Sequence, residues 1–565
     1  MYITCMDPYA VSYILREMAL LIELSDPIPQ KAFAYTKAAQ AILSVKNLQQ
    51  IVKKGELETI SYIGSALAQM ITSLILKEKL PYYEELKERV PVGLLELANI
   101  PGLSPRNLRI LFEKLHITTL AQLKEAIDQG IAADLKIMAP SKLLKITKSI
   151  EHIQAEGYTL LFSKAYLLAQ SFVAYLKAAR AVQKIVLAGA LRRKCPVISE
   201  IHFVGLSKRP EACLELFSHH PAVRDVQNCN DSQITVRLKN GLKAHLHISS
   251  QEQFTYAYFI ETGSPAHVEA MVQYARKKRS EVSRSTSSEE VLYNQLGLNY
   301  IPPEMRENLG EIAQAEIGIS TLIEEQDLRG AFHCHTTDSD GIHSLEEMVK
   351  AAQKLKWEYI GISDHSQSSH QAHGMDEPRL FAQIEKIQHL NQKTKIHIFA
   401  GIECDILKDG TLDFPNDVLK YLDFVIVSVH SLFKMGKEEM TSRIVKAIEN
   451  PYMTILGHLT GRLLRHRDPY ALDVDRVIDA CIANKKVIEL NSSPSRLDMD
   501  WHYWIQAKDK GLLCSINPDA HSTHELLNCS FGVQMARKGW LEKKHVINTL
   551  PLKAMISFLN QRPEV

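Results

Sequence analysis

The chain has 565 residues, and 66 lysines and arginines balance 65 aspartates and glutamates to a formal net charge of +1 at pH 7. The length suggests about four domains, and the charge balance excludes a whole-chain nucleic-acid signal, so any DNA contact must come from local patches. Nine cysteines without a Cys-x-x-Cys pair argue against a disulfide framework. With no leader-like first segment and no apolar run of about 18 residues, we expect a cytoplasmic protein without a membrane partner.

The N-terminal region is predicted to be helical. Residues 10–24 and 31–45 carry apolar residues at three- and four-residue spacing, and the connector at 25–29 separates them. Ile100-Pro-Gly-Leu-Ser-Pro105 has the form of a helix-hairpin-helix turn, in which Gly102 and Ser104 would bring backbone N–H groups to a DNA phosphate. The segment 60–65 is a degenerate version of it, with Gly64 in the turn. Each turn is either a DNA contact or a plain connector.

From about residue 155 the pattern becomes mixed α/β. Residues 184–188 and 200–204 read as short strands. Residues 234–238 and 242–248 read as two strands of a hairpin, because Asn240-Gly241 between them favours a tight turn. His245 and His247 share one face of the second hairpin strand, and the apolar residues occupy the other.

From residue 327 onward, apolar strands alternate with amphipathic helices, which predicts a parallel β/α barrel with seven strands. His333-Cys-His335 opens this region, and two histidines at this spacing leave the same face of a strand, with Cys334 on the core side. Metal-capable residues follow at six of the seven strand ends. Because active sites of β/α barrels lie at the C-terminal ends of the strands, these side chains should meet.

The segment Gly189-Ala-Leu-Arg-Arg193, followed by Glu200-x-His202, resembles the palm motif of the bacterial family X DNA polymerases, which reads G-S-x-R-R with a later D-x-D. The order of the chain matches that family along essentially its whole length. Members carry a C-terminal PHP (polymerase and histidinol phosphatase) domain, and His333 falls where it would begin. The resemblance implies a multidomain fold: all-α helix-hairpin-helix regions, a nucleotidyltransferase-like α/β palm and thumb, and a distorted (β/α)7 PHP barrel.

The domain boundaries that follow are an N-terminal helical domain at 1–90, a helix-hairpin-helix region at 91–150 and a palm at 151–250. A thumb at 251–318, a linker at 319–326 and the PHP domain at 327–565 complete the chain.

In that family, three palm carboxylates hold two magnesium ions. The corresponding positions here are Glu200, His202 and His245, so one carboxylate remains. Imidazoles are poor magnesium ligands, so magnesium is not expected in the palm and magnesium-dependent nucleotide transfer should be severely reduced. An alternative is that these residues, with His247, converge on zinc or another transition metal.

Arg192 and Arg193 of the palm motif are retained. They would either contact DNA phosphates or lie on a solvated surface.

The resemblance also implies nine metal ligands in the PHP domain, and an acceptable residue stands at every position: His333, His335, Asp340, His365, Glu403, His430, His458, Asp519 and His521. A set of histidines and carboxylates without cysteine suits up to three divalent ions of zinc, manganese or iron. Arg462, Asn491 and Arg496 resemble the family's motifs beside the site and are expected to bind phosphate. His370 and His373 are expected only to line the entrance.

The resemblance therefore implies a DNA repair protein that acts mainly as a metal-dependent 3′–5′ exonuclease or phosphoesterase, with polymerase activity lost or very weak. Its partner would be gapped or 3′-ended DNA without sequence specificity, and we expect a monomer. Three alternatives stay open: a gap-filling polymerase with an exonuclease, for which dNTP would be a substrate; a small-molecule phosphomonoesterase resembling histidinol phosphatase; and a non-enzymatic DNA-binding scaffold.

Overall fold

The structure is a computed structural model that describes residues 8–26, 29–43, 45, 47–76 and 80–561. It divides into two compact units, Met1–Ile317 and Gly318–Val565. Residues 27, 28 and 44, which belong to the predicted connector and second helix, lie outside the described residues, as does Cys5. The described cysteines are all free. No helix in the described ranges is long and apolar enough to cross a membrane.

The first unit is helical at its N-terminal end and contains a small mixed sheet. Its described α-helices, α1 to α17 in chain order, span Pro8–Ser25, Pro29–Leu43, Leu48–Lys54, Ser65–Leu76, Pro81–Arg89, Val92–Leu97, Pro105–Leu115, Leu120–Asp128, Ile131–Asp134, Pro140–Glu156, Phe162–Ala178, Gly189–Arg192, Pro210–Ser218, Phe254–Thr262, Pro265–Lys277, Glu289–Gln295 and Glu311–Ile317. Its strands β1 to β7 span Leu160–Leu161, Lys184–Ala188, Val197–Ile198, Glu200–Leu206, Val223–Cys229, Gln233–Leu238 and Lys243–Ser249.

Five of these strands form one sheet in the order β2-β4-β7-β6-β5. The central pair β4 and β7 is parallel, and the other pairs are antiparallel. One face of β4 is apolar, where Phe203 packs against Phe172 of α11 and Phe217 of α13. The other face of β4 and β7 carries half-buried polar side chains, since successive residues of a strand alternate between faces.

The predicted hairpin is present as β6 and β7, which pair antiparallel. Gly241 in its turn has φ +88°, a left-handed conformation that glycine adopts at little cost. A Cβ at this position would also lie 2.3 Å from the ring of Tyr158, so the turn needs glycine for space as well.

The second unit alternates strands and helices. Strands β8 to β14 span Gly330–Ala331, Tyr359–Ile362, His397–Asp405, Phe424–Ser428, Ile455–Leu456, Val487–Asn491 and Cys514–Asn517. Helices α18 to α25 span Leu345–Lys354, Glu377–Asn391, Asn416–Leu419, Lys437–Ile448, Val474–Ala483, Trp501–Ala507, Cys529–Lys538 and Leu552–Leu559.

The seven strands are parallel and follow one another in the sheet, which confirms the predicted barrel. An isolated parallel bridge between Cys334 and Ala520 joins the two ends, so the barrel is nearly closed. The prediction that β8 contains His333 and His335 was wrong, because the strand ends at Ala331. The chain beyond it is held instead by backbone hydrogen bonds to Ala520.

The lower half of the barrel interior is filled by aromatic rings. Phe332, Phe399 and Phe424 pack together with centroids 5.0 to 5.8 Å apart. Gly361 and Gly401 make room for them, since a Cβ at either position would lie within 2.7 Å of the Phe424 ring. This apolar layer forms a floor on which the polar residues higher in the barrel rest.

Candidate metal centre

Five of the nine predicted ligands of the second unit, all histidines, lie 3.0 to 3.7 Å from a sixth, the carboxylate of Glu403. It lies near the end of β10, fully buried, two residues above Gly401 on the inward face. Its Oε1 is 3.0 Å from Nε2 of His458 and 3.3 Å from Nε2 of His430. Its Oε2 is 3.0 Å from Nδ1 of His365 and 3.2 Å from Nε2 of His333. Glu403 is therefore placed to be shared between ions.

Three groups of donor atoms are each compact enough for one ion, with all atoms of a group within 4.8 Å of one another. The groups are His335, Asp340, His365 and His521; His333, His335 and Asp519; and His365, Glu403 and His430. The ninth predicted ligand, His458, lies beside the third group, with its Nε2 3.4 Å from that of His430. The structure thus brings all nine residues together.

Buried carboxylates behind the cluster orient two of the histidines. Oε1 of Glu489 on β13 lies 2.7 Å from Nδ1 of His333, and Oδ1 of Asp405 on β10 lies 2.6 Å from Nδ1 of His430. In both rings Nε2 is turned toward Glu403. Carboxylates that hold the outer nitrogen of a histidine in this way are typical of metal sites. Neither carboxylate was predicted from the sequence.

Several donor atoms in the cluster are buried and have no hydrogen-bond partner: Nε2 of His333, both ring nitrogens of His335, Nδ1 of His365, Oε2 of Glu403 and Nδ1 of His458. Leaving buried polar atoms unpaired is costly, so their concentration here points to a bound group. Imidazole nitrogens and carboxylate oxygens suit zinc, manganese or iron. The residues therefore fit a site for divalent metal ions.

The ionisable groups of the cluster influence one another strongly. Burial would raise the pKa of Glu403, but the positive charges of His333, His430 and His365 hold it well below its ordinary value. Burial likewise opposes ionisation of Asp340, whose pKa falls to about 2 because His521 donates to it and is charged. Burial lowers the pKa of His335, and the nearby charges of His521 and His365 lower it further, to about 3. At neutral pH the carboxylates are ionised and His335 is a neutral donor.

Two of the predicted phosphate-binding residues lie beside the cluster. Nε of Arg496 is 3.3 Å from Oδ2 of Asp519, and its Nη1 is buried without a partner. Asn491 donates from its amide nitrogen to Oδ2 of Asp519 and to Oε2 of Glu489. In this structure Asn491 therefore orients the carboxylate of Asp519, a predicted ligand. Arg496 has one guanidinium nitrogen, Nη1, without a hydrogen-bond partner.

Arg462, the third predicted phosphate binder, is held by the protein itself. Its Nε donates to the carbonyl of Arg496 at 2.9 Å, and its Nη atoms donate to Asp500 and to the carbonyl of Leu497. His370 and His373 are exposed on the loop that contains a short 3-10 helix, His370–Ala372, outside the three donor groups.

Both predicted turns of the first unit have a residue with left-handed backbone conformation at their third position. Gly102 has φ +85°, and Ser104 accepts a hydrogen bond from the backbone N–H of Asn107 at the start of α7. In the degenerate turn Tyr62 occupies the equivalent position with φ +65°, ahead of Gly64 and α4. The two segments share a residue with positive φ at this position, although only the first has glycine there.

The two arginines predicted to contact DNA are engaged in ion pairs within the first unit. Arg192 pairs with Glu289 and donates to the hydroxyl of Thr262 at 2.7 Å. Arg193 pairs with Glu307 at 2.9 Å and donates to the carbonyl of Thr262. Both side chains are largely buried, so neither presents a free guanidinium to a DNA backbone in this structure.

Glu200, His202 and His245 also come together, on the polar face of β4 and β7. Oε2 of Glu200 is 3.5 Å from Nε2 of both histidines. A second carboxylate, Glu261 of α14, which was not predicted from the sequence, accepts from Nδ1 of His202 at 3.0 Å. Burial opposes protonation of His202, but the neighbouring carboxylates of Glu200 and Glu261 outweigh it and raise the pKa to about 9.

The parallel barrel and the His and carboxylate ligands at its strand ends define a PHP domain, and residues 331–493 match the PHP domain family. A probable phosphatase of Caldicellulosiruptor bescii is 29% identical over 247 residues, which are 40% of this chain and 93% of that protein. A probable phosphatase of Thermoanaerobacter sp. strain X514 is 28% identical over 229 residues, 38% of this chain and 89% of that protein.

The similarity to a third protein spans nearly the whole chain. The DNA polymerase/3′-5′ exonuclease PolX of Bacillus subtilis strain 168 is 30% identical over 563 residues, which cover 97% of this chain and 98% of that protein. The chain therefore belongs to the PolX family of bacterial family X DNA polymerases.

Proposed function

We propose that this protein is a metal-dependent 3′–5′ exonuclease that acts on DNA through its PHP domain, in DNA repair. The observation that carries the proposal is the clustering of nine predicted His and carboxylate ligands, Glu403 among them, with several of their donor atoms buried and unpaired. Metal ions held by such a set would activate water and neutralise phosphate charge, which hydrolysis of a phosphodiester requires.

The surrounding residues have separate tasks in this proposal. Glu489 and Asp405 hold the rings of His333 and His430 so that their inner nitrogens face the ions. The free Nη1 of Arg496 binds a phosphate oxygen of the substrate, because a guanidinium donates strong charge-assisted hydrogen bonds to phosphate. The aromatic floor beneath excludes water from below, which leaves the upper rim as the entrance.

DNA is the proposed substrate because the full-length relative is named a DNA polymerase and exonuclease. The two helix-connecting turns, with Gly102 and Ser104 in one and Gly64 in the other, are proposed to contact the phosphate backbone without reading sequence. We assign residues 1–90 and 91–150 to the helical DNA-holding regions, 151–250 to a palm and 251–318 to a thumb.

We further propose that polymerase activity is lost or very weak. The three palm positions that correspond to the family's magnesium-binding carboxylates are Glu200, His202 and His245. A pair of magnesium ions requires more carboxylates than this, so the residues present do not fit the ions that nucleotide transfer needs.

A second candidate function is that of a small-molecule phosphomonoesterase. Two relatives named probable phosphatases match about 40% of this chain over most of their own length. Such an enzyme would use the same metal centre but would not need the first unit.

A comparison of substrates tests these candidates. Wild type and Asp519→Asn are assayed with Mn²⁺ on a 5′-labelled DNA strand and on a small phosphomonoester, with Asp409→Asn as a matched control, since Asp409 is exposed and remote from the cluster. We expect the DNA to shorten from its 3′ end in wild type and in the control but not in Asp519→Asn. Faster turnover of the small ester, with intact DNA, would favour the phosphatase and contradict the exonuclease.

A further inference from the structure

We infer that Glu200, His202 and His245 form a binding site for one transition-metal ion of the Zn²⁺ type. It would stand at the place where related polymerases carry their magnesium carboxylates. The site is independent of the barrel centre and of the proposed exonuclease activity. Three observations support it: the geometry of the three side chains, the partners of their outer nitrogens and an unpaired buried nitrogen.

Two of the three distances between the inner donor atoms are close to those of a tetrahedral site, and all three atoms lie within 4.8 Å of one another. Nε2 of His202 and Nε2 of His245 each lie 3.5 Å from the same atom, Oε2 of Glu200. Direct charge-assisted hydrogen bonds are shorter, about 2.7–2.9 Å. Two ligands of a tetrahedral zinc with bonds of about 2.0–2.1 Å are separated by roughly 3.3 Å. The observed spacing is therefore closer to that of ligands around an ion than to that of hydrogen-bonded partners.

The outer nitrogen of each ring has a fixed partner. Nδ1 of His202 is 3.0 Å from Glu261, and Nδ1 of His245 is 2.9 Å from the hydroxyl of Thr235. The rings stack at 4.6 Å with an interplanar angle of 21°, so neither turns easily. Outer partners that hold Nδ1 leave Nε2 to the metal, which is the usual arrangement of histidine ligands.

Unpaired nitrogens mark the same place. Nε2 of His245 is buried without a hydrogen-bond partner, and so is Nδ1 of His247, which lies 3.4 Å from Glu261. The ring of His247 thus extends the outer layer around Glu261. A buried imidazole nitrogen turned toward a carboxylate at 3.5 Å is explained if an ion lies between them.

The chemistry of the three donors selects the ion. Two imidazoles and one carboxylate suit zinc or cobalt and disfavour magnesium, which prefers oxygen ligands in octahedral geometry. Glu200 is 42% exposed at its side chain, so the fourth position opens to solvent. That position would take water or a phosphate oxygen, which gives the first unit a cationic contact for DNA in place of the ion-paired Arg192 and Arg193.

Metal counting on the intact chain tests the site. Wild type, His202→Asn, His245→Asn and the control His152→Asn are stripped with a chelator, reloaded with Zn²⁺ and freed of excess metal by gel filtration. His152 is an exposed residue of α10, outside every donor group of the described chain. We expect each palm variant to hold about one equivalent of zinc fewer than wild type, and His152→Asn to hold as much zinc as wild type. The hydrolytic activity of the barrel should be the same in all four proteins.

Anomalous diffraction at the zinc edge locates the ion independently of any variant's folding. A peak within bonding distance of Glu200, His202 and His245 in crystals of the zinc-loaded wild type would support the inference. Peaks confined to the barrel, with equal zinc counts in the palm variants and wild type, would overturn it.

Discussion

Glu489 illustrates how one inward-facing carboxylate can position several residues of the candidate metal centre. Its Oε1 accepts from His333 and from the amide of Asn517, and its Oε2 accepts from Asn491 and from the backbone N–H of His458. A single side chain thereby fixes residues from four strand ends. Its position two residues before Asn491 on β13 places it in the layer just below the ligands.

Replacing Glu489 by Gln should weaken the metal centre while leaving the nine predicted ligands in place. The neutral amide cannot accept from all four partners, so His333 loses its fixed ring orientation. We expect metal affinity and hydrolysis to fall about 10- to 100-fold, as is typical of outer-layer partners of metal ligands. Metal titration and an exonuclease assay measure this, with the exposed Glu438→Gln as control. Unchanged metal affinity would show that Glu489 is only a structural residue.

Arg496 and Arg462 should separate into a substrate-binding and a structural residue. Removal of one charge-assisted hydrogen bond costs about 1.5–3 kcal/mol, so Arg496→Ala should lower kcat/KM about 10- to 100-fold with little change in melting temperature. Arg462→Ala should mainly lower the melting temperature, because Asp500 and two carbonyls lose their donor. If Arg462→Ala stayed as stable as wild type and lost activity, the assignment of the two residues would have to be reversed.

His220 should make the first unit sensitive to acid. Burial lowers its pKa to about 3, and the hydrogen bond to Ser171 offsets only part of this effect. Between the unfolded value of about 6.5 and pH 3 the unfolded chain binds a proton that the folded chain does not, so stability falls as the pH falls. We expect wild type to lose about 1–2 kcal/mol between pH 7.5 and 5 relative to His220→Gln.

Hydrogen exchange in α11, which contains Ser171, measures that difference at each pH. A constant difference between wild type and His220→Gln across the range would mean that this ring does not titrate as described.

At the level of residues, the sequence predicts nine metal ligands, which the structure brings together, and misses the carboxylates behind them. The nine candidates were identifiable because a family resemblance supplied their positions and each position holds a metal-binding residue type. The sequence signal for Glu489 and Asp405 is weaker. Each is a charged residue on an apolar strand, and the alternation of strand faces could have predicted that it points inward. The sequence does not predict the ion pairs of the two arginines. Arg192 pairs with Glu289 and Arg193 with Glu307, and these partners are about a hundred positions apart, so no local sequence pattern indicates them.

At the level of elements, hydrophobic periodicity was sufficient for the barrel. All seven predicted strands are present and alternate with helices, because each strand has its own apolar run. The length of β8 was not predictable, since its end depends on pairing with residues near Ala520. The degenerate turn has Tyr62 where the other turn has Gly102, and yet Tyr62 also has a positive φ.

A buried ion triad ties three elements of the first unit together. Glu289 begins α16 and pairs with Arg192 of α12 and with Arg306, whose Nη1 is 2.5 Å from Oε1 of Glu289. The Arg306 side chain is fully buried. Because a lone buried charge is costly, Glu289→Ala should destabilise the unit by about 3–5 kcal/mol, whereas the exposed neighbour Glu290→Ala should have little effect.

Differential scanning calorimetry of the whole chain measures this loss. All four tryptophans, at positions 357, 501, 504 and 540, lie in the second unit, so tryptophan fluorescence identifies the barrel transition separately. The Glu289→Ala variant should lower the melting temperature of the first unit only, which is the transition that has no change in tryptophan fluorescence. A shift of both transitions would contradict a local role for the triad.

At the level of the whole molecule, each unit contains a cluster of metal-capable side chains. The barrel cluster has an acceptable residue at all nine expected positions, whereas the three positions expected for a palm site hold a single carboxylate, Glu200. The sequence alone predicts this contrast, but only the structure shows that Glu261 and Thr235 lie beside the outer nitrogens of His202 and His245.

The most direct measurement uses a 5′-labelled primer on a gapped duplex with Mn²⁺, with and without the four dNTPs, for wild type and Asp519→Asn in the same gel. We predict that the wild-type primer shortens whether or not dNTPs are present, and that neither shortening nor extension occurs with Asp519→Asn. Extension of the primer when dNTPs are added would contradict this prediction, because Glu200, His202 and His245 would then support nucleotide transfer.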